Sequence, residues 1–109
     1  MATNKYLLKP DDIHELINSM GYGIVSDRIT IDGKKVGYMY RVIPEEGEDS
    51  GWRFTAGDES QEYIDDEKNS MIFDLNTIAN YDKSIIPYLA FPTGSEFERI
   101  QGKDEFQKL

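Results

Sequence analysis

Ten acidic residues crowd the stretch from Glu45 to Glu67: Glu45, Glu46, Glu48, Asp49, Asp58, Glu59, Glu62, Asp65, Asp66 and Glu67. Arg53 is the one base among them. The rest of the 109-residue chain balances acids with bases, so this window carries the whole formal net charge of -9. It also holds Trp52, Phe54 and Tyr63, so it is not a plain acidic tail. Two readings stand side by side. One is a solvated, acidic pair of loops that aids solubility. The other is a docking surface for a basic partner, in which complementary charge speeds association and rejects wrong partners. Aromatic side chains beside the charges would supply the buried anchors that dominate interface energetics.

Composition narrows the chemistry. There is no cysteine, which excludes disulfides, thiolate metal sites and a thiol nucleophile. One histidine cannot build a histidine-rich metal site. The acidic balance argues against nucleic acid as a partner, because phosphates are neutralised by Lys and Arg. It equally argues against an anionic membrane surface. No apolar run approaches the roughly 20 residues of a membrane span. The N-terminal stretch has one Lys before a short Tyr6-Leu7-Leu8 patch and no signal-peptide core. The expected location is cytoplasmic.

The length fits one domain spanning 1–109. Ile13, Leu16, Ile17 and Met20 recur at helical spacing, which predicts an amphipathic helix over 10–20. Pro10 suits its first turn and Gly21 its stop. His14 falls on the flank of the apolar stripe, with no partner constellation near it. Asp32-Gly33 is a two-residue hairpin signal between strands at 22–31 and 34–43. It places Val36, Tyr38, Tyr40 and Val42 on one face, with Gly37, Met39, Arg41 and Ile43 on the other. Pro44–Gly51 should be a loop, and Trp52–Ala56 another antiparallel strand. A helical turn is possible over Ser60–Asp65, with Tyr63 and Ile64 facing in. Met71–Leu75 reads as a buried strand and Asn76–Tyr81 as irregular. Asp82 can cap a short helix over 83–90. Phe97–Ile100 should be a last strand, with a polar tail fraying over about 102–109. Together these predict an α+β domain: an N-terminal helix, a mostly antiparallel sheet, and short helices in the C-terminal half.

Catalytic patterns are scarce. His14 is the sole conventional base, and no Gly-x-Ser-x-Gly elbow accompanies it. With so many acids, some carboxylate pair will always lie close together, so a pair signals little. The acids at 58–66 offer oxygen ligands for calcium without the EF-hand spacing. Gly21-Tyr22-Gly23 is too short for a phosphate loop. The sequence therefore predicts no enzyme, no cofactor and no metal site. Trp52 is more often a core residue than an exposed anchor in a domain this size. Arg53 points to the opposite face and could pair with an adjacent acid.

A signature runs through the second half: Asp49-Ser50-Gly51-Trp52-Arg53-Phe54, Gly57-Asp58-Glu59, Tyr63-Ile64-Asp65-Asp66 and Asp74 through Asp82. It closes with Pro92, Gly94-Ser95 and Phe97-Glu98-Arg99. Upstream, Val25-Ser26-Asp27-Arg28 and Val36 through Arg41 fit as well. Over about 20–100 the chain resembles the bacterial immunity-protein-thirty-three-like domain family, long described as a domain of unknown function. The resemblance implies an immunity protein of a polymorphic toxin system, and it supplies no catalytic residues. Joined to the charge pattern, it points to a non-enzymatic binding protein that neutralises a basic toxin, for example a nuclease. The expected partner-binding residues are Trp52, Arg53, Asp58, Glu59, Tyr63, Asp65 and Asp66, with the aromatics acting if exposed. The alternatives are a small-molecule or ion-sensing module, with a pocket lined by Tyr38, Tyr40, Trp52 and Arg53, and a small enzyme, which the residue inventory disfavours.

Overall fold

A computed structural model describes residues 5–109. Residues 1–4, part of the stretch read above as lacking a signal core, lie outside the described residues. Six strands form one mixed sheet in the order β4-β1-β3-β2-β5-β6. They are β1 (Tyr22–Ser26), β2 (Tyr38–Arg41), β3 (Asp49–Thr55), β4 (Ser70–Asp74), β5 (Glu96–Arg99) and β6 (Phe106–Lys108). Three short α-helices join them: α1 (Asp27–Thr30), α2 (Gln61–Asp65) and α3 (Leu75–Tyr81). Three single-turn or two-turn 3-10 helices lie at Pro10–Asp12, Glu67–Asn69 and Lys83–Tyr88.

β3 is the central strand, and six of its seven residues are buried. It pairs antiparallel with β2 and parallel with β1. The register with β1 shifts between Tyr22 and Ile24, which face Asp49 and Arg53. Gly51 sits at that irregularity with φ of 88°, and a Cβ there would lie 2.2 Å from the Val42 carbonyl oxygen. Only glycine fits both constraints. Val25, Met39, Trp52, Phe54, Phe97 and Phe106 project from one sheet face. Ile29 of α1, Leu75, Ile78 and Ala79 of α3, and Ile85 and Leu89 close over them. Each such large apolar side chain contributes about 1.5–3 kcal/mol by leaving water.

The expected N-terminal helix is not present. One 3-10 turn forms at Pro10–Asp12, and Ile13 is already extended. Two asparagines on α3 hold the segment instead. Asn76 Oδ1 accepts the Leu16 and Ile17 N–H groups at 2.7 and 3.1 Å, and its Nδ2 donates to the His14 carbonyl. Asn80 Oδ1 accepts the His14 N–H, and its Nδ2 also donates to the His14 carbonyl. Side-chain amides thus satisfy backbone groups that a helix would have satisfied internally. Leu16, Ile17 and Met20 still pack on the core. Their spacing recorded burial, not helicity.

The Asp32-Gly33 hairpin is also absent. Ser26 caps α1 by accepting the Arg28 N–H, and the Ile31 and Asp32 N–H groups return to the Asp27 carbonyl. Gly33, at φ of 82°, ends this helix. Its positive φ serves a helix stop, a demand that Asp-Gly meets as well as a type I′ turn. β1 consequently runs beside β3, making the sheet mixed. Tyr38 and Tyr40 do share a face opposite Met39, but Val36 lies outside the strand, buried, with its N–H on Asp82. Asn76–Tyr81, expected to be irregular, lies in α3, capped by Asp74. β4 is an edge strand with exposed Met71 and Ile72, rather than a buried one. The tail does not fray: β6 pairs with β5, and Phe106 is buried with its N–H donating to Tyr88 Oη at 2.9 Å. The strand expected over Trp52–Ala56 forms, but it starts at Asp49 inside the expected loop and gains a parallel partner in β1. The helical turn near Ser60 forms with Ile64 exposed rather than facing in, and Asp82 caps a short helix containing Pro87 as expected.

Candidate functional site

Strand alternation gives the sheet a second face, away from the core. A cross-strand row there runs Ile72–Ile24–Arg53–Tyr40–Glu96 over five strands. The neighbouring row includes Ser70, Ser26, Thr55, Tyr38, Glu98 and Gln107. Of the α-helices, α2 is the one that leans over this face. Its Tyr63 and Ile64, with Ile24, Tyr40, Arg53 and Glu67, line a hollow of about 220 Å³.

Tyrosines dominate the surface of this face. Tyr38 and Tyr40 stack with ring centroids 5.3 Å apart. Tyr38 donates its hydroxyl to Glu96 at 2.6 Å. Burial, with the Glu96 carboxylate beside it, pushes the Tyr38 hydroxyl up to about 12. At the other end of the face Tyr22 donates to Glu46 at 3.0 Å, and it too is raised, by desolvation first and Glu46 second.

Arg53 forms the floor. It is 8 % exposed and meets Asp49 through two parallel bonds of 2.9 Å. Asp49 also accepts the Glu45 and Gly51 N–H groups. The Arg53 guanidinium foremost, and those two backbone donors against the cost of burial, hold the Asp49 carboxyl well below the usual range. The same partnership raises Arg53. Glu45 reaches Arg53 at 3.4 Å. Arg53 thus shares this face with the carboxylates of Glu45, Glu46, Asp49, Glu67, Glu96 and Glu98, while Arg28 stands at its edge over Tyr63.

The residues expected from sequence are scattered around this geometry. Trp52 corrects the reading as an anchor: it is fully buried on the core face, its indole N–H donating to the Leu89 carbonyl at 3.0 Å. It therefore cannot share a pocket with Tyr40 and Arg53. Arg53 and Tyr63 do stand together at the hollow. Tyr63 also carries the Arg28 guanidinium 5.0 Å above its ring. Asp58 pairs with Lys34 at 2.8 Å, and that hydrogen bond lowers its carboxyl. Glu59 accepts the Ala56 and Gly57 N–H groups, so it holds its own turn. Burial raises the Glu59 carboxyl, but these donors outweigh it and the net direction is down. Asp65 accepts from Gln61, and Asp66 caps the Lys68 N–H.

The acidic window is split in space. Glu45–Glu48 precede the seven-residue β3 and Asp58 and Glu59 follow it, while α2 and the turn after it bring Glu67 back to the hollow beside Arg53. Sequence reasoning missed Tyr22, Ile24, Ile72, Glu96 and Glu98 as members of one surface. Only the parallel β1–β3 pairing, with the β1–β4 and β2–β5 pairings, brings them together. Among the described residues, no group of three or more His, Asp or Glu stands where it could hold a metal ion. No helix of the described residues is long and apolar enough to cross a membrane.

Compared with known proteins, the chain matches the family model of the Immunity protein Imm33 domain over residues 23–109. No curated protein and no solved structure matches the chain.

Proposed function

The chain belongs to the Immunity protein Imm33 domain family, and from that premise we propose that it neutralises a basic protein toxin by binding it, without catalysis. Membership of the family implies a toxin as the general partner. The observation that carries the finer reading is the uncovered sheet face, where Tyr22, Tyr38, Tyr40 and Tyr63 stand among carboxylates. Tyrosines supply contact area with little entropy to lose, and they dominate binding energy where water is excluded. Arg53 on the face is already neutralised by Asp49, and the Arg28 guanidinium lies over the Tyr63 ring at its edge, so a cationic partner would meet the carboxylates away from Arg28. Asp65 and Asp66, flanking Tyr63 and Ile64, form an acidic rim at one end. Asp58 and Glu59 are spent on Lys34 and on the turn, and serve the rim less. A nuclease fits this chemistry, because an enzyme that grips phosphate presents Lys and Arg. A toxin acting inside the cell would be met in the cytoplasm.

The test is protection on co-expression with the toxin. Glu96→Lys with Glu98→Lys should abolish protection while the chain stays folded, since both side chains are exposed. Asp65→Lys with Asp66→Lys should weaken it. Full protection by both variants would overturn the acidic-face reading. The hollow beside Arg53 keeps a second reading open, a small-ligand module. Thermal stabilisation by a metabolite at millimolar concentration, lost in Tyr40→Ala, would favour that instead.

A further inference from the structure

The two edges of the sheet are built differently. At one edge β6 is three residues long and presents Gln107 and Lys108, the short, charged form that discourages strand pairing. At the other edge β4 runs five residues, Ser70–Asp74, with neither proline nor lysine within it. Ile72 is 55 % exposed and Met71 is 45 % exposed. Among the described residues, no backbone hydrogen bond from any other segment reaches its outer side.

We infer that the outer edge of β4 pairs antiparallel with β4 of a second copy of this chain. A two-fold axis through Ile72 sets Ile72 against Ile72, Met71 against Phe73, and Ser70 against Asp74. Lys68 lies in the 3-10 turn two residues before Ser70, at the end of β4 that meets Asp74 of the other copy. Lys68 and Asp74 are exposed, and neither makes an ion pair among the described residues. The strand is therefore complementary to its own reverse: apolar at the centre, opposite charges at the ends. That is what an isologous interface requires, because each patch must meet itself. The result is a continuous twelve-stranded sheet whose uncovered faces join across the axis. This inference is independent of the toxin reading, which concerns the face rather than the edge.

A single strand pair makes a small interface, below about 1,200 Å². The experiment therefore measures the mass of the full chain by sedimentation and light scattering at roughly 100 µM, in salt that screens charges beyond about 8 Å. The expected mass is twice that of the monomer. Ile72→Lys should be monomeric, and its exposure lets it fold. Lys68→Glu and Asp74→Lys should each lose the dimer, by setting like charges against each other at both ends. An equimolar mixture of those two variants should regain it, because the crossed pairs are again opposite. Circular dichroism confirms that each variant is folded. A monomeric wild type, a dimer undiminished in Ile72→Lys, or a mixture of folded variants that stays monomeric would overturn the inference.

Discussion

Removing Asp49 should cost this fold more than removing any exposed acid. The Asp49 side chain is 1 % exposed and that of Arg53 is 10 % exposed. Asp49→Ala would take both 2.9 Å bonds from the guanidinium. It would leave only the Trp52 carbonyl at 3.1 Å and Glu45 at 3.4 Å. It would also orphan the Glu45 and Gly51 N–H groups. Breaking one side of a buried pair typically costs about 3–5 kcal/mol, because the remaining charge stays desolvated. Against a total of about 5–15 kcal/mol, that is a large fraction. Urea unfolding followed by fluorescence of Trp52, the single tryptophan, measures it directly. Asp49→Asn keeps acceptors for the two N–H groups and should lose less. The double variant Asp49→Ala, Arg53→Met should lose less than the sum of its single variants, since no charge is stranded. The pH dependence has a definite sign. A carboxyl depressed in the folded state stabilises above its unfolded value of about 3.9 and loses that contribution as pH falls toward the folded value. Wild type should therefore lose stability below about pH 4, and Asp49→Ala should show a flatter profile there. A loss below about 1 kcal/mol in Asp49→Ala, or strict additivity in the double variant, would refute the reasoning.

Three further perturbations probe other parts of the fold. Trp52→Phe removes the indole bond to Leu89 and leaves a void in the core, so it should destabilise by about 1–3 kcal/mol in the same urea assay. Asn76→Ala should release the 13–18 segment, read as faster hydrogen exchange at Leu16 and Ile17; unchanged protection at those amides would show that packing alone holds it. Tyr38 should ionise near pH 12 in an absorbance titration, and Glu96→Gln should bring it partway back toward 10 while its burial remains. The raised value means that Tyr38 contributes stability below about pH 10, lost as pH rises through about 12.

Much of the local structure was legible, and the reason is that its determinants are local. Ser60 and Asp82 carry side-chain oxygens that cap whatever follows them, so short helices at 61 and 83 could be read directly. Trp52–Ala56 alternates, and it forms a strand with Trp52 in and Arg53 on the other face. Errors fall where one residue pattern serves two geometries. Ile13, Leu16, Ile17 and Met20 bury an apolar edge whether helical or extended, and Asn76, sixty residues away, decides between them. Asp32-Gly33 supplies a positive φ for a hairpin or for a helix stop, and the Ser26 cap decides. The fraying expected after Gly102 overlooked that Phe106 inserts into the core and β6 pairs with β5, which together hold the tail.

The sequence by itself determined the acidic excess, the absence of cysteine, the single histidine, the family and the α+β class, because each depends on residue identity or short-range pattern. Tertiary structure decided the site. Strand order is a matter of long-range pairing, invisible to any local window, and it set Tyr22, Tyr40, Arg53 and Glu96 side by side on one face. It also set the acids before Asp49 and those from Asp58 at opposite ends of β3, since a strand keeps its flanking residues a strand's length apart.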